Sequence, residues 1–372
     1  MATIAVVSGQ NARANIQDTD SISSFNVGTR KSKLALVQTD IVTKALAAAC
    51  PDNVYAIKAR DTAAGDIDKV TPFKDMPVKN LWTHELEVLM LEGQLDFLVH
   101  SLKGWDIAHL SHSLDLPISP DVPTQLPPGC EIGVVVARED PRDAFVIKAG
   151  REPCNIEDLP AGAVVGTSSM RRTAQIAMKY PHLRVLDVRG NVGTRLAKLD
   201  AEDGPFDAVI LAAAGLIRLD LRHRITQYLD SKSGGMLYAV GQGAIGIENR
   251  SSDPRVQSML STIDHFETHL ATATERSLLR TLEGGCSAPL GVETTWHDNG
   301  DNQKALQLKA VVISTDGKEK SEIDMTEVVQ SREDAELFGV NAASELLRRG
   351  ADKILAEIKA KRPTTVADLE EK

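Results

Sequence analysis

Ala163-Val164-Val165-Gly166-Thr167-Ser168-Ser169-Met170-Arg171-Arg172 begins as a short apolar strand, turns at Gly-Thr, and opens a helix with serines. The helix should run through Ala174, Ile176, Ala177 and Tyr180 and stop at Pro181, which cannot continue it. Phe25-Asn26-Val27-Gly28-Thr29-Arg30-Lys31-Ser32 repeats the design, with Leu34, Val37, Ile41, Ala45 and Ala48 expected on one helix face. A strand that feeds a glycine turn and then a helix is the building unit of an α/β fold. It also gathers free backbone N–H groups and the positive end of the helix at one point, a ready anion site.

Further basic turns follow. The strand Val185-Leu186-Asp187-Val188 leads into Arg189-Gly190-Asn191-Val192-Gly193-Thr194-Arg195. Phe206 to Ala212 is a continuous apolar run of the kind buried in a parallel sheet, and Arg218 lies just past it. A single arginine in such a place is an ordinary solvated charge. Arg171, Arg172, Arg189, Arg195 and Arg218 all stand just beyond strand ends, where open α/β sheets bind ligands. Arginine matches carboxylate in a bidentate fork, so the implied ligand carries several carboxylates or phosphates.

Leu81 to Met90 should form an amphipathic helix with Gly93 just past its end, before a strand over Phe97 to Lys103. His100 in that strand reads more readily as a core histidine than as a catalyst. Ala239-Val240-Gly241-Gln242-Gly243-Ala244 is a glycine-rich crossing into another strand and a candidate hinge. The last third has an alternating strand (Ala305, Leu306, Leu308, Ala310, Val311, Ile313) and a terminal helix (Leu346, Leu347, Ile354, Leu355, Ile358), a compact α+β unit. Near its start, Arg280-Thr281-Leu282-Glu283-Gly284-Gly285-Cys286-Ser287-Ala288-Pro289 sets a cysteine in a glycine-flanked loop after a helix. Such a loop suits an exposed, covalently used thiol; a small buried thiol at a turn is the plainer alternative.

The chain has 372 residues, enough for two or three domains. Its net charge of −10 argues against bulk nucleic-acid binding, so an anion site must be local. Cys50, Cys130, Cys154 and Cys286 show no metal spacing, which points to free thiols in a reducing, cytoplasmic setting. No apolar run approaches a membrane span. Residues 1–25 carry one basic residue, Arg13, and make a poor transit or signal segment; a disordered lead-in is expected there, and a disordered tail over 362–372.

Taken in order, Val-Gly-Thr-Arg-Lys-Ser, Val-His-Ser-Leu-Lys, Gly-Thr-Ser-Ser-Met-Arg-Arg, Arg-Gly-Asn-Val-Gly-Thr-Arg, Ala-Val-Gly-Gln-Gly-Ala and Leu-Glu-Gly-Gly-Cys-Ser resemble the porphobilinogen deaminase (hydroxymethylbilane synthase) family, from about Val27 to Ile358. The resemblance implies an α/β protein of three domains. The first two (26–141 with 241–261, and 142–240) would be like periplasmic binding proteins with mainly parallel sheets. The third (262–361) would be a small α+β domain carrying the cofactor cysteine. It implies a transferase that joins four porphobilinogens head to tail on a dipyrromethane cofactor bound to Cys286, in tetrapyrrole biosynthesis. It further implies a monomer with no metal, no nucleic acid and no membrane partner. By resemblance, Ser169, Arg171, Arg172, Lys103, Arg195 and Arg218 hold cofactor. Arg30, Ser32, Lys79, Ser101, Arg189 and Arg195 hold substrate. Lys103 and the aspartate that follows it in the family are catalytic.

Here that aspartate does not follow. Lys103 runs into Gly104-Trp105-Asp106, and the family pattern resumes only at Asp121-Val122-Pro123, so 104–120 is an insertion and Asp121 is the matching residue. The codons allow an unspliced intron: Lys-Asp as AAG-GAT, split after the first G of GAT, reads through as Lys-Gly and returns as Pro-Asp. His109 and His112 with Asp106 or Asp115 lack further ligands to close a metal site. Asp75 and His84 stand where the family often has lysine. The alternatives are a non-catalytic polyanion-binding protein, or a pseudoenzyme made inert by the insertion. A dehydrogenase is disfavoured because no Gly-x-Gly-x-x-Gly follows the first strand.

Overall fold

The computed structural model describes residues 23–60, 84–103, 126–283, 289–300 and 303–360. In chain order the first elements are β1 (Ser24–Arg30), α1 (Lys33–Ala49), β2 (Val54–Arg60), α2 (His84–Leu91), β3 (Phe97–Ser101) and β4 (Cys130–Val135). Then come β5 (Asp143–Ile147), β6 (Val164–Gly166), α3 (Met170–Lys179), β7 (Arg184–Leu186), α4 (Val192–Asp200), β8 (Ala208–Ala212), α5 (Ala213–Arg218) and β9 (Gln227–Leu229). The chain continues with β10 (Ile245–Arg250), α6 (Pro254–Ser261), α7 (Phe266–Glu283), β11 (Leu290–Asp298), β12 (Lys304–Ile313), β13 (Lys320–Val328), α8 (Arg332–Leu346) and α9 (Asp352–Ala360).

The first sheet has the order β2-β1-β3-β10-β4 and the second β7-β6-β8-β5-β9. In the first, β1 is parallel to β2 and β3, and β10 is antiparallel to both β3 and β4. In the second, β6 is parallel to β7 and β8, and β5 is antiparallel to β8 and β9. Each sheet therefore has a single reversed strand in the same fourth position, and both follow one topology. The reversed strands are exchanged along the chain. After β4 the chain crosses to β5, and after β9 it crosses back to β10. The crossings lie side by side: Glu139 N–H donates to Gly243 O (3.2 Å) and Val136 N–H to Ile245 O (3.2 Å). A third, antiparallel sheet, β11-β12-β13, packs its Leu306, Leu308 and Val312 against Leu278 of α7 and Phe338 of α8. It meets the second crossing through a backbone bridge between Tyr238 and Val292.

Local chemistry explains where the elements begin. Ser32 and Ser169 are N-caps, accepting from the Ala35 and Arg172 N–H groups; each satisfies an otherwise orphaned donor of the first turn. Tyr180 ends α3 before Pro181. Gly93 takes φ +77° just past α2, as its position suggested. Two expectations need correction. Ser24, assigned to the lead-in, is the first residue of β1, ahead of Phe25, which is buried as the first residue of the expected strand. The buried face of α1 is Gln38, Thr39, Val42 and Leu46, while Ile41 and Ala48 are exposed. An apolar stripe cannot reveal a face that includes Thr39, whose hydroxyl bonds Thr29 Oγ1 (2.8 Å) and Ala35 O (2.9 Å).

Gly241 lets the second crossing pass the end of β3, and Gly243 lets the two crossings approach so closely. Both have positive φ (+68° and +85°), and a Cβ at either would overlap the carbonyl of Leu102 or Glu139. Gly300 also has positive φ (+79°) but open space around it. Gly300→Ala should therefore cost only the backbone strain, about 1 kcal/mol. Gly241→Ala should cost roughly 2 kcal/mol more from overpacking. Urea unfolding of both variants at neutral pH measures the difference, and equal losses would contradict this account of the crossing.

Candidate active site

Asp143 opens β5 with its carboxylate fully buried. Its Oδ2 accepts from Arg171 Nη1 (2.8 Å), and its Oδ1 from Arg172 Nη2 (2.7 Å) and Gln242 Nε2 (2.9 Å). Burial by itself would raise this carboxyl's pKa. The guanidiniums of Arg171 and Arg172 outweigh it and hold the group far below the ordinary carboxylate range. Arg171 is also fully buried and donates to Leu237 O (2.6 Å). Its place is in the frame beneath the α3 N-terminus.

Arg172 Nη1 donates to Ile210 O (2.7 Å) at the end of β8, while its Nε is buried with no hydrogen-bond partner. Arg195 on α4 donates Nε–H to Gly190 O (2.7 Å). Burial first, and the charge of Arg172 second, push its guanidinium down to about 10. Arg218 ends α5 and donates to Gly243 O (2.8 Å) on the second crossing; burial pushes it too down to about 10, and its Nε has no partner. Arg172 and Arg195 thus form a partly desolvated cationic pair, and Arg218, with Glu139 as its nearby counter-charge, stands past the carboxyl end of β8. Arg189 stands apart, half exposed and paired with Asp187 (2.7 Å).

In the first sheet Arg30 and Ser101 end the adjacent parallel strands β1 and β3, with Lys103 two residues further on. His100 is buried, its Nε2 3.0 Å from Glu248 Oε2 of β10, as a core histidine would be. Ser32 and Ser169 serve as helix caps. Lys79, Asp121, Cys286 and the stretch 104–120 lie outside the described residues.

Sequence patterns did not disclose the links between these parts. Arg138 of the first crossing donates Nε–H to Gln242 O (2.8 Å) and forks onto Glu275 of α7 (2.7 and 3.0 Å). Glu275 also accepts from Gly241 N–H (2.8 Å) and Thr294 Oγ1 (2.8 Å). The chain Glu275–Arg138–Gln242–Asp143–Arg172 therefore runs from the helix that leads toward Cys286, through both crossings, to the arginine turn. One signal was available: a carboxylate heading a buried apolar strand, Asp143-Ala144-Phe145-Val146, must have a cationic partner.

Residues 25–258 match the family described as porphobilinogen deaminase, dipyromethane cofactor binding domain, and residues 269–348 its C-terminal domain. The chain belongs to the porphobilinogen deaminase family. Porphobilinogen deaminase of Yarrowia lipolytica is 45% identical over 346 residues, covering 92% of this chain and 95% of that one. The Schizosaccharomyces pombe enzyme of that name is 43% identical (91% and 95% covered), and that of Synechococcus elongatus 43% (90% and 95%). Among solved structures the overlap is loose. The BenM effector binding domain with benzoate has a TM-score of 0.36 at 13% identity, over 65% of this chain and 91% of that one. Porphobilinogen deaminases are transferases. The cofactor-domain match spans both five-stranded sheets and the crossings, so the arginines described above all lie inside it.

Asp143→Asn leaves two buried guanidiniums short of a charge and should lower stability by about 3–5 kcal/mol at pH 7. The native carboxyl's pKa is depressed, so its contribution is complete above the unfolded value of about 3.9 and is lost as pH falls toward the native one. The gap between wild type and variant should stay constant from pH 7 to 5 and narrow below pH 4. Urea unfolding across that range checks the sign; a gap that widened in acid would exclude the ion-pair explanation.

Proposed function

We propose that this chain is a hydroxymethylbilane synthase. It deaminates and condenses four porphobilinogens head to tail on a dipyrromethane at Cys286, then releases the linear tetrapyrrole by hydrolysis. The observation that carries this is the set of partly desolvated arginines Arg172, Arg195 and Arg218, whose Nε atoms at 172 and 218 have no hydrogen-bond partner. Acetate and propionate side chains would offset the cost of burying these cations, and a guanidinium forks onto a carboxylate. The residues present fit the cofactor.

When bound, the dipyrromethane supplies the pyrrole end to which each new unit is joined. Arg172, Arg195 and Arg218, with Ser169, Lys103 and the supporting Arg171, hold its carboxylates. Arg30, Ser32, Lys79, Ser101, Arg189 and Arg195 orient the incoming porphobilinogen. Asp121 is the acid: near the pyrrole nitrogens it moves protons as ammonia departs and balances the cationic methylene left on the substrate, with Lys103 beside it. We read the domains as 26–141 with 241–261, 142–240 and 262–361, and the enzyme as a cytoplasmic monomer. Among the described residues no helix is long and apolar enough to cross a membrane.

Support for an active form without 104–120 comes from the two ends of that region. Leu126 packs against the cluster that contains Leu102, so the chain on either side of the region contributes to one small cluster beside sheet one. With 104–120 removed, Asp121 to Gln125 alone would span from Lys103 to Leu126, ample at about 3.3–3.6 Å per extended residue. Asp121 would then follow Lys103 directly.

Intact mass of the purified protein before and after porphobilinogen, for the full chain, a form lacking 104–120, and Cys286→Ser in each, is the test. We expect one dipyrrole of added mass that Cys286→Ser abolishes. A ladder of added pyrroles should appear with the shortened form and be at least a hundredfold slower in the full chain. A mass that never shifts in the shortened form would overturn the assignment of Cys286 and return the chain to a polyanion-binding role. Transcripts that retain 104–120 throughout would sink the intron.

A further inference from the structure

Away from the arginine turns, a cavity of about 230 Å³ lies between the edge of sheet one and the third domain. Leu102, Cys130 and Ile132 form one wall, and Arg276, Arg280 and Arg332 stand on the other. We propose that this cavity binds a small tetrahedral oxyanion, of which inorganic phosphate is the simplest, between the guanidiniums of Arg276, Arg280 and Arg332.

Three observations converge on it. The first is placement. Arg276 and Arg280 are one helical turn apart on α7 and so share a face. Arg332 is the first residue of α8, just after its N-cap Ser331, where the helix end is itself positive. The second is the weakness of the counter-charge at Arg280 and Arg332. Glu336 is 3.8 Å from Arg280 Nη2 and 3.5 Å from Arg332 Nε, longer than the roughly 2.7–2.9 Å of a charge-assisted hydrogen bond. Glu131 accepts from Asn249 Nδ2 (3.1 Å) and Gln257 Nε2 (2.7 Å), and His269 Nδ1 is 3.0 Å from Asp264. The third is electrostatic cost. Arg276 is only 7% exposed. Burial first, and the like charge of Arg280 next, push it down to about 10, with Arg332 adding to the effect and Glu248 opposing it. An anion among the three cations removes that repulsion. At ~30 Å³ per water in the liquid, the cavity has room for a phosphate with part of its hydration.

An occupant here would tie the wall behind Leu102 to the helix that leads toward Cys286, apart from the carboxylate-binding arginines and independent of the reaction assigned above. The test is calorimetric titration of inorganic phosphate into the full-length, cofactor-loaded protein at fixed ionic strength, repeated with sulfate. Saturable binding is expected, weakened at least tenfold by R280Q/R332Q together and changed less than twofold by R195Q in the other cluster. Absence of saturable binding overturns the proposal. So does binding lost in R195Q but kept in the double variant, which would assign the anion to the principal site. If the double variant fails to fold by circular dichroism, R332Q alone, at a half-exposed position, should weaken binding about threefold or more; unchanged binding there overturns the proposal equally.

Discussion

A buried carboxylate holds this structure's working parts in register. Asp143 has no exposed surface and satisfies two guanidiniums and an amide from two different segments. Ion pairs of this kind gain little net stability over a well-packed apolar core, because desolvation consumes most of the attraction. What they supply is direction. A methyl group packs acceptably in several orientations, whereas a carboxylate shared by two arginine forks and a glutamine amide has essentially one. The α3 N-terminus is thereby fixed to the strand that begins the second sheet, and the Nε of Arg172 is left facing away from its anchor.

Gln242 extends that constraint beyond the second sheet. Its amide reaches Asp143 while its backbone carbonyl accepts from Arg138, and Arg138 forks onto Glu275. The glycines on either side, a candidate hinge in sequence, allow close approach to the end of β3 at Gly241 and to the first crossing at Gly243. Position of the cysteine-bearing domain relative to the arginine turn thus depends on a relay of charged and amide groups, each with a narrow angular tolerance. Tyr238 adds to the same junction, with Arg138 5.1 Å from its ring centroid and its hydroxyl accepting from Thr294 N–H (2.7 Å).

Much of the fold was legible because its determinants are local. Strand, Gly-Thr, serine cap and helix each leave a mark within a few residues, and the repeat at 27–32 and 166–172 marks one such unit in each five-stranded sheet. The arginine-rich strand ends were legible for the same reason. What stayed hidden was pairing across distance. Nothing near Asp143 in sequence shows that it meets Arg171 and Arg172, nor does Glu275 reveal Arg138. Arg171 and Arg172 are adjacent and looked equivalent. Only the tertiary structure shows that Arg171 reaches Leu237 O while Arg172 reaches Ile210 O of β8. The α1 face was misjudged because hydrogen-bonded Thr39 is buried as deeply as any apolar residue there.

The insertion after Lys103 separates two requirements that are often confused. Lengthening a loop whose ends already meet costs little stability, since closure entropy grows only with the logarithm of length. Leu102 and Leu126 share one cluster, so a long excursion between them need not disturb β3, which is held by β1 on one side and β10 on the other. Proton transfer has no such tolerance. A carboxylate directly after Lys103 inherits the position of a strand end fixed on both sides, whereas one at the far end of an excursion has its position set by the loop. On the proposed assignment, the same fold would hold the cofactor's carboxylates in both forms and present the acid in position only where it follows Lys103 directly.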